Sequence, residues 1–186
     1  LGTTGIVVPY SCASWIPSIH SGIDVARATG VTHVAGATGK TSEAAVTALR
    51  GLGDTALIDM GDFAGGMLKY LRRHPVERLS IAGGFAKISK LAAGHLDLHS
   101  ARSRVDFDAL AGLLTDLGAP PDVSERARHA NTTAQVLADA EIHGLPLGDT
   151  IAGRAREVAL ATLAGGTDVE VLIFDRQGKL IGHAGT

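Results

Sequence analysis

Apolar positions along the chain change their spacing in a regular order, and that order predicts its elements. Ile16, Ile19, Ile23 and Ala26 fall at helical spacing. They predict a helix from about Ala13 to Ala28, capped by Ser11 and stopped at Gly30. Val31 to Ala35 is a short apolar run and reads as a strand. The loop Gly36-Ala37-Thr38-Gly39-Lys40 follows, then a helix through Ala44, Val46, Ala48 and Leu49 that ends at Gly51, with Thr41 or Ser42 as its cap. Thr55 to Met60 is a second strand. Gly61-Asp62 turns into a helix from Phe63 to Arg73, and Asp62 suits its N-cap. Pro75 separates that helix from a third strand, Arg78 to Ala82. Gly83-Gly84 then opens a helix from Ala86 to Ala93.

Strand, glycine turn and helix thus recur three times in about sixty residues. Short bounded strands alternating with helices read as buried parallel strands joined by right-handed crossovers. Ligands of such folds sit outside the carboxyl ends of the strands. The pattern therefore gathers Gly36 to Glu43, Gly61 to Phe63 and Gly83 to Lys90 on one rim. Beyond an irregular stretch from Gly94 to Ser103, Asp106 caps a helix from Phe107 to Leu117. Gly118 to Pro121 breaks the chain. Helices follow at Val123 to Ile142, with Asn131 able to cap a separate second piece, and at Leu147 to Leu163. Val169 to Phe174 and Lys179 to His183 form a hairpin around Arg176-Gln177-Gly178. The expected fold is α/β: a Rossmann-like, doubly wound, mostly parallel sheet with flanking helices and a C-terminal hairpin. It occupies residues 1–186 as a single domain.

Composition narrows the function classes. Of 186 residues, 45% are hydrophobic and 19% charged, enough apolar mass for a real core. The net charge of -2 argues against a general nucleic-acid coat. The 24 glycines fall at turns with no period of three, which excludes collagen. One cysteine, Cys12, rules out an internal disulfide and fits a cytoplasmic protein. There is no basic segment leading into an apolar one and no long apolar run, so neither signal peptide nor membrane span is expected. The chain opens at Leu1, as a fragment of something longer would.

Three segments carry candidate chemistry. The loop Gly36 to Ser42 has the lysine and hydroxyls of a phosphate loop, but Val34 stands where its first glycine belongs. It reads better as a ligand turn whose backbone N–H groups hold an anionic group; the plain alternative is a tight βα turn. Glu43 lies in the following helical turn, where its charge is favourable and where it can meet a ribose or a cation. Asp62 fits either a cap or the ribose or amino group of a cofactor, and Phe63 either the core or the face of an adenine. Lys87, Lys90, His95, His99, Arg102 and Arg104 place six cationic groups in 18 residues. They suit a polyanionic ligand, or form a solvated basic helix and loop. His95, Asp97 and His99 alternate with leucines and, as a strand, would share one side. Such a trio can bind a metal, but a zinc site needs a fourth ligand that the sequence does not supply, and no metal is expected.

These segments together resemble the carboxyl-terminal domain of the CbiD family, the cobalt-precorrin-5B (C1)-methyltransferases. The opening Gly2-Thr3-Thr4-Gly5-Ile6-Val7 with Pro9 and Ser11, the Met60-Gly61-Asp62-Phe63 block, and Ala86 to His95 with His99 behind it carry the resemblance. Ser100, Ser103, Val105 and Asp106 extend it. In the first βα loop Thr38, Gly39, Ser42 and Glu43 agree with the family, whereas Lys40 and Thr41 replace its Gly-Arg. Ala86 replaces a glycine.

The resemblance implies methyl transfer from S-adenosylmethionine to C-1 of a cobalt-containing tetrapyrrole. It places the cofactor at Gly36, Thr38, Gly39, Glu43, Gly61, Asp62 and Phe63. It places the substrate carboxylates at Lys87, Ser89, Lys90, His95, Asp97, His99 and Arg102. His95 or His99 is the candidate base, since histidine titrates near neutrality. It further implies an amino-terminal domain of the same polypeptide as partner; a homo-oligomer is compatible with the sequence, and no nucleic acid or membrane is expected. The changes at Lys40 and Thr41 keep open a second reading, a divergent tetrapyrrole- or anionic-metabolite-binding module without turnover.

Overall fold

The computed structural model describes residues 12–185, so the opening motif and the Ser11 cap lie outside the described residues. Helix α1, Cys12–Ala28, buries Ile19, Ile23 and Ala26, the stripe its spacing predicts. Strand β1 is His33–Ala37, two residues later than expected. Gly30, at φ 76, and the bond from the Val31 amide to the Ala26 carbonyl keep that stretch tied to the helix end. Helix α2, Lys40–Arg50, ends at Gly51 in the left-handed conformation. After a single 3-10 turn at Asp54–Ala56 come β2, Leu57–Asp59, and α3, Ala64–Leu71. Strand β3, Arg78–Gly84, leads into α4, Phe85–Ala92.

Four more helices precede the next strand. In α5, Phe107–Asp116, Asp106 accepts the Ala109 amide as expected of its cap. The long helix expected at 123–142 is two helices, α6, Pro121–Arg128, and α7, Thr133–Ile142. Thr132, not Asn131, caps α7: its hydroxyl accepts the Gln135 amide while Gln135 accepts the Thr132 amide. That reciprocal box is written in the sequence as Thr-x-x-Gln. Helix α8, Leu147–Leu163, is followed by β4, Asp168–Phe174, and β5, Leu180–Ala184. No helix among the described residues is long and apolar enough to cross a membrane.

The five strands of the described residues form one sheet in the order β2-β1-β3-β4-β5. The first four are parallel, and β5 pairs antiparallel with β4 as the C-terminal hairpin. The chain leaves β1 towards β2 on one side and returns to β3 on the other. This reversal between β1 and β3 is the topological switch point, where the flanking loops part and leave a crevice. Helices α1, α3 and α8 belong to the large core on one face, around Leu68, Leu71, Ile81, Val171 and Ala155. Helix α2 packs alone on the other, over Ala35, Ala82, Leu172 and Phe174.

The same α2 face holds a buried polar chain. Glu170, 0% exposed, accepts hydrogen bonds from Arg50 on α2 and from Ser80 on β3. His33 on β1 meets the Ser80 hydroxyl at 2.7 Å. Burial pushes the Glu170 carboxyl up, but the Arg50 and Ser80 hydrogen bonds outweigh it and hold the group below its usual range. Burial lowers the His33 imidazole against the opposing pull of Glu170.

Candidate functional site

A crevice of about 750 Å³ opens at the carboxyl ends of β1, β3 and β4. Its wall is built from the starts of three helices: Gly39 to Ser42 of α2, Gly84 to Lys87 of α4, and Thr132 to Ala134 of α7. The Thr41 or Ser42 cap expected for α2 is not made. Gly39 occupies the cap position with no side-chain bond, and the Ser42 hydroxyl donates instead to the Gly39 carbonyl. Helix α4 likewise starts at Gly84 without a side-chain cap. Two helix ends with uncapped N–H groups therefore line the crevice, where they favour negative charge.

Thr38 stands between these ends. It is only 7% exposed, lines the crevice, and its hydroxyl has no partner among the described residues. Its amide donates to the Ala82 carbonyl, which fixes it beside β3. A Cβ added at Gly39 would meet nothing within 4 Å, so this glycine keeps open space rather than relieving a clash. Lys40, Lys87 and Arg176 bring cations to the lining, and Asp175 brings one carboxylate. Sequence reasoning missed Thr132, Thr133 and Arg176, because only the sheet order brings α7 and the hairpin over β1 and β3.

The other expected cofactor residues divide. Gly36 lies inside β1, not in the loop: a Cβ there would sit 2.3 Å from the Met67 sulfur, so its role is to let α3 cross the strand. Glu43 is half-buried in the first turn of α2, outside the crevice lining, with no side-chain partner among the described residues. Gly61, at φ 53, makes the turn after β2 against Trp15. Asp62 is not the cap of α3; Phe63 holds that place. Asp62 Oδ1 stands instead 3.1 Å from Lys87 Nζ, which also donates to the Thr38 carbonyl at 2.8 Å. Lys87 thus ties the ends of β1, β2 and β3 together at the crevice edge.

The expected substrate residues separate as well. Lys87 and Lys90 do not present one cationic face. Lys90 is 8% exposed and folds inward, where its ammonium donates to the Leu98 carbonyl at 2.8 Å. Ser89 is buried and bonds to the Phe85 carbonyl one helical turn back. The stretch His95 to His99 is irregular chain with a bend at Leu96, not a strand, so the alternation that would put its three polar groups on one side is absent. The Leu98 amide donates to the Asp62 carbonyl, and the Gly65 amide to the Leu96 carbonyl. Asp97 accepts the His99 amide and pairs with Arg102 at 3.1 Å. His95 and His99 are exposed and line neither the crevice nor the groove described next. Among the described residues no group of three His, Cys, Asp or Glu side chains is placed to hold a metal ion.

Asp97, Arg102 and Phe63 line a second concavity, an open groove of about 1100 Å³ along α3. Phe63 is the chain neighbour of Asp62, whose partner Lys87 lines the crevice. One peptide step and one ion pair thus connect the two concavities.

Residues 97–185 match the family model described as CbiD, C-terminal domain. The cobalt-precorrin-5B C(1)-methyltransferase of Bradyrhizobium sp. is 61% identical over 184 residues, 98% of this chain and 49% of its own length. That of Paramagnetospirillum magneticum is 58% identical over 99% of this chain and 51% of its own. That of Halorhodospira halophila is 56% identical over 100% of this chain and 50% of its own. The chain spans about half the length of the curated relatives it matches. No solved structure matches it. The family model covers the loop after Leu96, helices α5 to α8 and the hairpin, and the relatives align along the rest as well: the chain is similar to the CbiD family over nearly its whole length.

Proposed function

We propose that this chain is the carboxyl-terminal α/β domain of a two-domain enzyme that methylates C-1 of cobalt-precorrin-5B from S-adenosylmethionine. The names of its relatives supply the reaction. The observation that carries the placement is the crevice at the β1/β3 reversal, walled by uncapped helix starts with the nine-tenths-buried, unpartnered Thr38 between them. Those N–H groups and Thr38 fit the carboxylate of the cofactor's methionine part. Asp175 fits its positive groups, Asp62 acts through Lys87, and Gly39 gives the backbone room to approach.

The cofactor supplies a methyl group on a positively charged sulfur. The ring carbon forms the new C–C bond while the C–S electron pair stays with sulfur. The macrocycle then sheds one proton to balance its charge. The protein's part is alignment and exclusion of water, which raise the effective concentration of the two reactants. Lys87, held by Asp62 and the Thr38 carbonyl, fixes the loops after β1 and β2 relative to α4. The candidate bases His95 and His99 line neither the crevice nor the groove, so the proton is assigned to neither. The other half of the relatives' length supplies the remaining wall of the site.

Replacing Asp62 with Ala frees Lys87, and Thr38→Val removes the hydroxyl. Each is expected to weaken cofactor binding at least tenfold in the intact protein, read by calorimetry, with methyl transfer falling in step. Unchanged binding in both variants would remove the cofactor from this crevice. Cofactor and tetrapyrrole binding without methyl transfer would support the non-catalytic module.

A further inference from the structure

The groove along α3 holds cations that the crevice does not use. Lys69, Arg72 and Arg73 are exposed, line the groove, and have no carboxylate partner among the described residues. Lys69 lies in the last turn of α3 and Arg72 and Arg73 directly follow the helix, Arg72 as its C-cap, while Met67, Leu68 and Leu71 are buried in the core. Arg102 joins them from the loop after α4. Among the described residues the groove's only lining carboxylate is Asp97, already paired with Arg102. Asp24 lies nearby but accepts the Tyr70 hydroxyl at 2.8 and 2.9 Å. In a chain of net charge -2, this is a local excess of positive charge.

The groove also has flat, rigid parts. His20, Tyr70 and His74 stack in a row, with ring centroids 3.9 and 4.1 Å apart and planes within about 21°. Gly65 and Gly66 interrupt the side-chain surface of α3 beside Leu96 and Ile16. A Cβ at Gly65 would lie 2.8 Å from the Leu96 Cβ, so the loop seats directly on the helix backbone there. A volume of about 1100 Å³ is at the upper end for small-molecule sites and is large for one small anion. Cations spread over more than one helical turn, beside stacked rings and the apolar Ile16, Phe63 and Leu96, fit a broad ligand with an apolar body and several carboxylates at its rim.

We infer that this groove is the seat of the tetrapyrrole, and that Lys69, Arg72, Arg73 and Arg102 bind its peripheral carboxylates. The inference rests on the reading given under Proposed function and adds to Arg102 three binding residues, Lys69, Arg72 and Arg73, that neither the sequence motifs nor the family resemblance marks. The ion pair between Asp62 and Lys87 then lies where the groove adjoins the cofactor crevice, as transfer between two bound molecules requires.

The test uses the intact protein and two stable corrinoids followed by visible absorption. Cobyrinic acid carries free carboxylates; cobinamide carries amides on the same ring system. Cobyrinic acid is expected to bind at least tenfold more tightly than cobinamide. The double variant Arg72→Gln, Arg73→Gln is expected to lose at least tenfold in cobyrinic acid affinity, with unchanged thermal midpoint and unchanged S-adenosylmethionine affinity. Equal binding of the two corrinoids, or full affinity in the double variant, overturns the groove assignment. Cofactor binding without any corrinoid binding overturns the groove alone. Binding of neither overturns the underlying reading as well.

Discussion

Lys87 and Lys90 are the same residue type on one short helix, three positions apart, and the fold gives them opposite work. Lys87 reaches the strand ends and binds Asp62 and the Thr38 carbonyl. Lys90 turns inward and holds the turn after α4 through the Leu98 carbonyl. Spacing alone does not separate them, because a flexible four-carbon stem can leave the helix in either direction. Lys90→Ala removes buried stem packing and leaves the Leu98 carbonyl without this donor. It is expected to cost about 2 kcal/mol, read from the urea midpoint of the intact protein. Cofactor affinity should stay within about twofold, since Lys90 does not line the crevice. The sequence did point to Thr38, Gly39 and Asp62 as rim residues, because βα turns in this architecture open at one end of the sheet. It placed Gly36 among them wrongly: the crossing of Met67 over β1 is a tertiary fact with no local signal.

At the scale of elements, glycine decides how closely segments approach. The start of α8 lies on β5 backbone to backbone. A Cβ at Gly148 would be 1.9 Å from the Ile181 carbonyl oxygen, and one at Gly182 would be 2.5 Å from the Gly148 carbonyl. Neither obstacle is a flexible side chain that could move aside. Gly148→Ala is therefore expected to cost about 3 kcal/mol or more and to lower the thermal midpoint. Gly153→Ala, on the same helix with nothing within 4 Å, should be neutral or slightly stabilising. The helices themselves were largely readable from periodicity and caps, as Asp106 and Gly51 show. The split at Thr132 was readable too, through its capping box, but Asn131 is the stronger cap by residue type and drew the boundary one position early. The uncapped start of α2 could not be read: Thr41 and Ser42 are good cap residues, yet the strand delivers Gly39 to the cap position instead.

At the scale of the whole molecule, the sheet order converts separated segments into sites. It sets the hairpin and α7 beside the first βα loop, and it carries Glu170, Ser80 and His33 into one buried chain across three strands. That chain predicts how stability depends on pH. The folded state holds His33 below its usual value of 6.5 and Glu170 below 4.5. Each therefore binds its proton less readily folded than unfolded, and stability is lost as pH falls. The loss should begin as pH drops through about 6.5 for His33. It should steepen below about 4.5 as the unfolded chain takes the Glu170 proton, and continue through the lower folded value. His33→Gln should flatten the first limb and Glu170→Gln the second, measured as denaturant midpoints across pH. Arg50→Met leaves a buried carboxylate without its main partner and is expected to cost about 3 kcal/mol at neutral pH.

With the cofactor in the crevice between β1 and β3, Gly39→Val should exclude it. Gly39 is extended, at φ 166, a conformation valine adopts freely, and a Cβ there meets nothing within 4 Å. The substitution should leave the thermal midpoint of the intact protein unchanged while its side chain fills space on the crevice wall. Calorimetric titration with S-adenosylmethionine and its demethylated product should then show binding to the unaltered protein and at least a tenfold loss in the variant. Equal affinity in both proteins would place the cofactor away from the switch point.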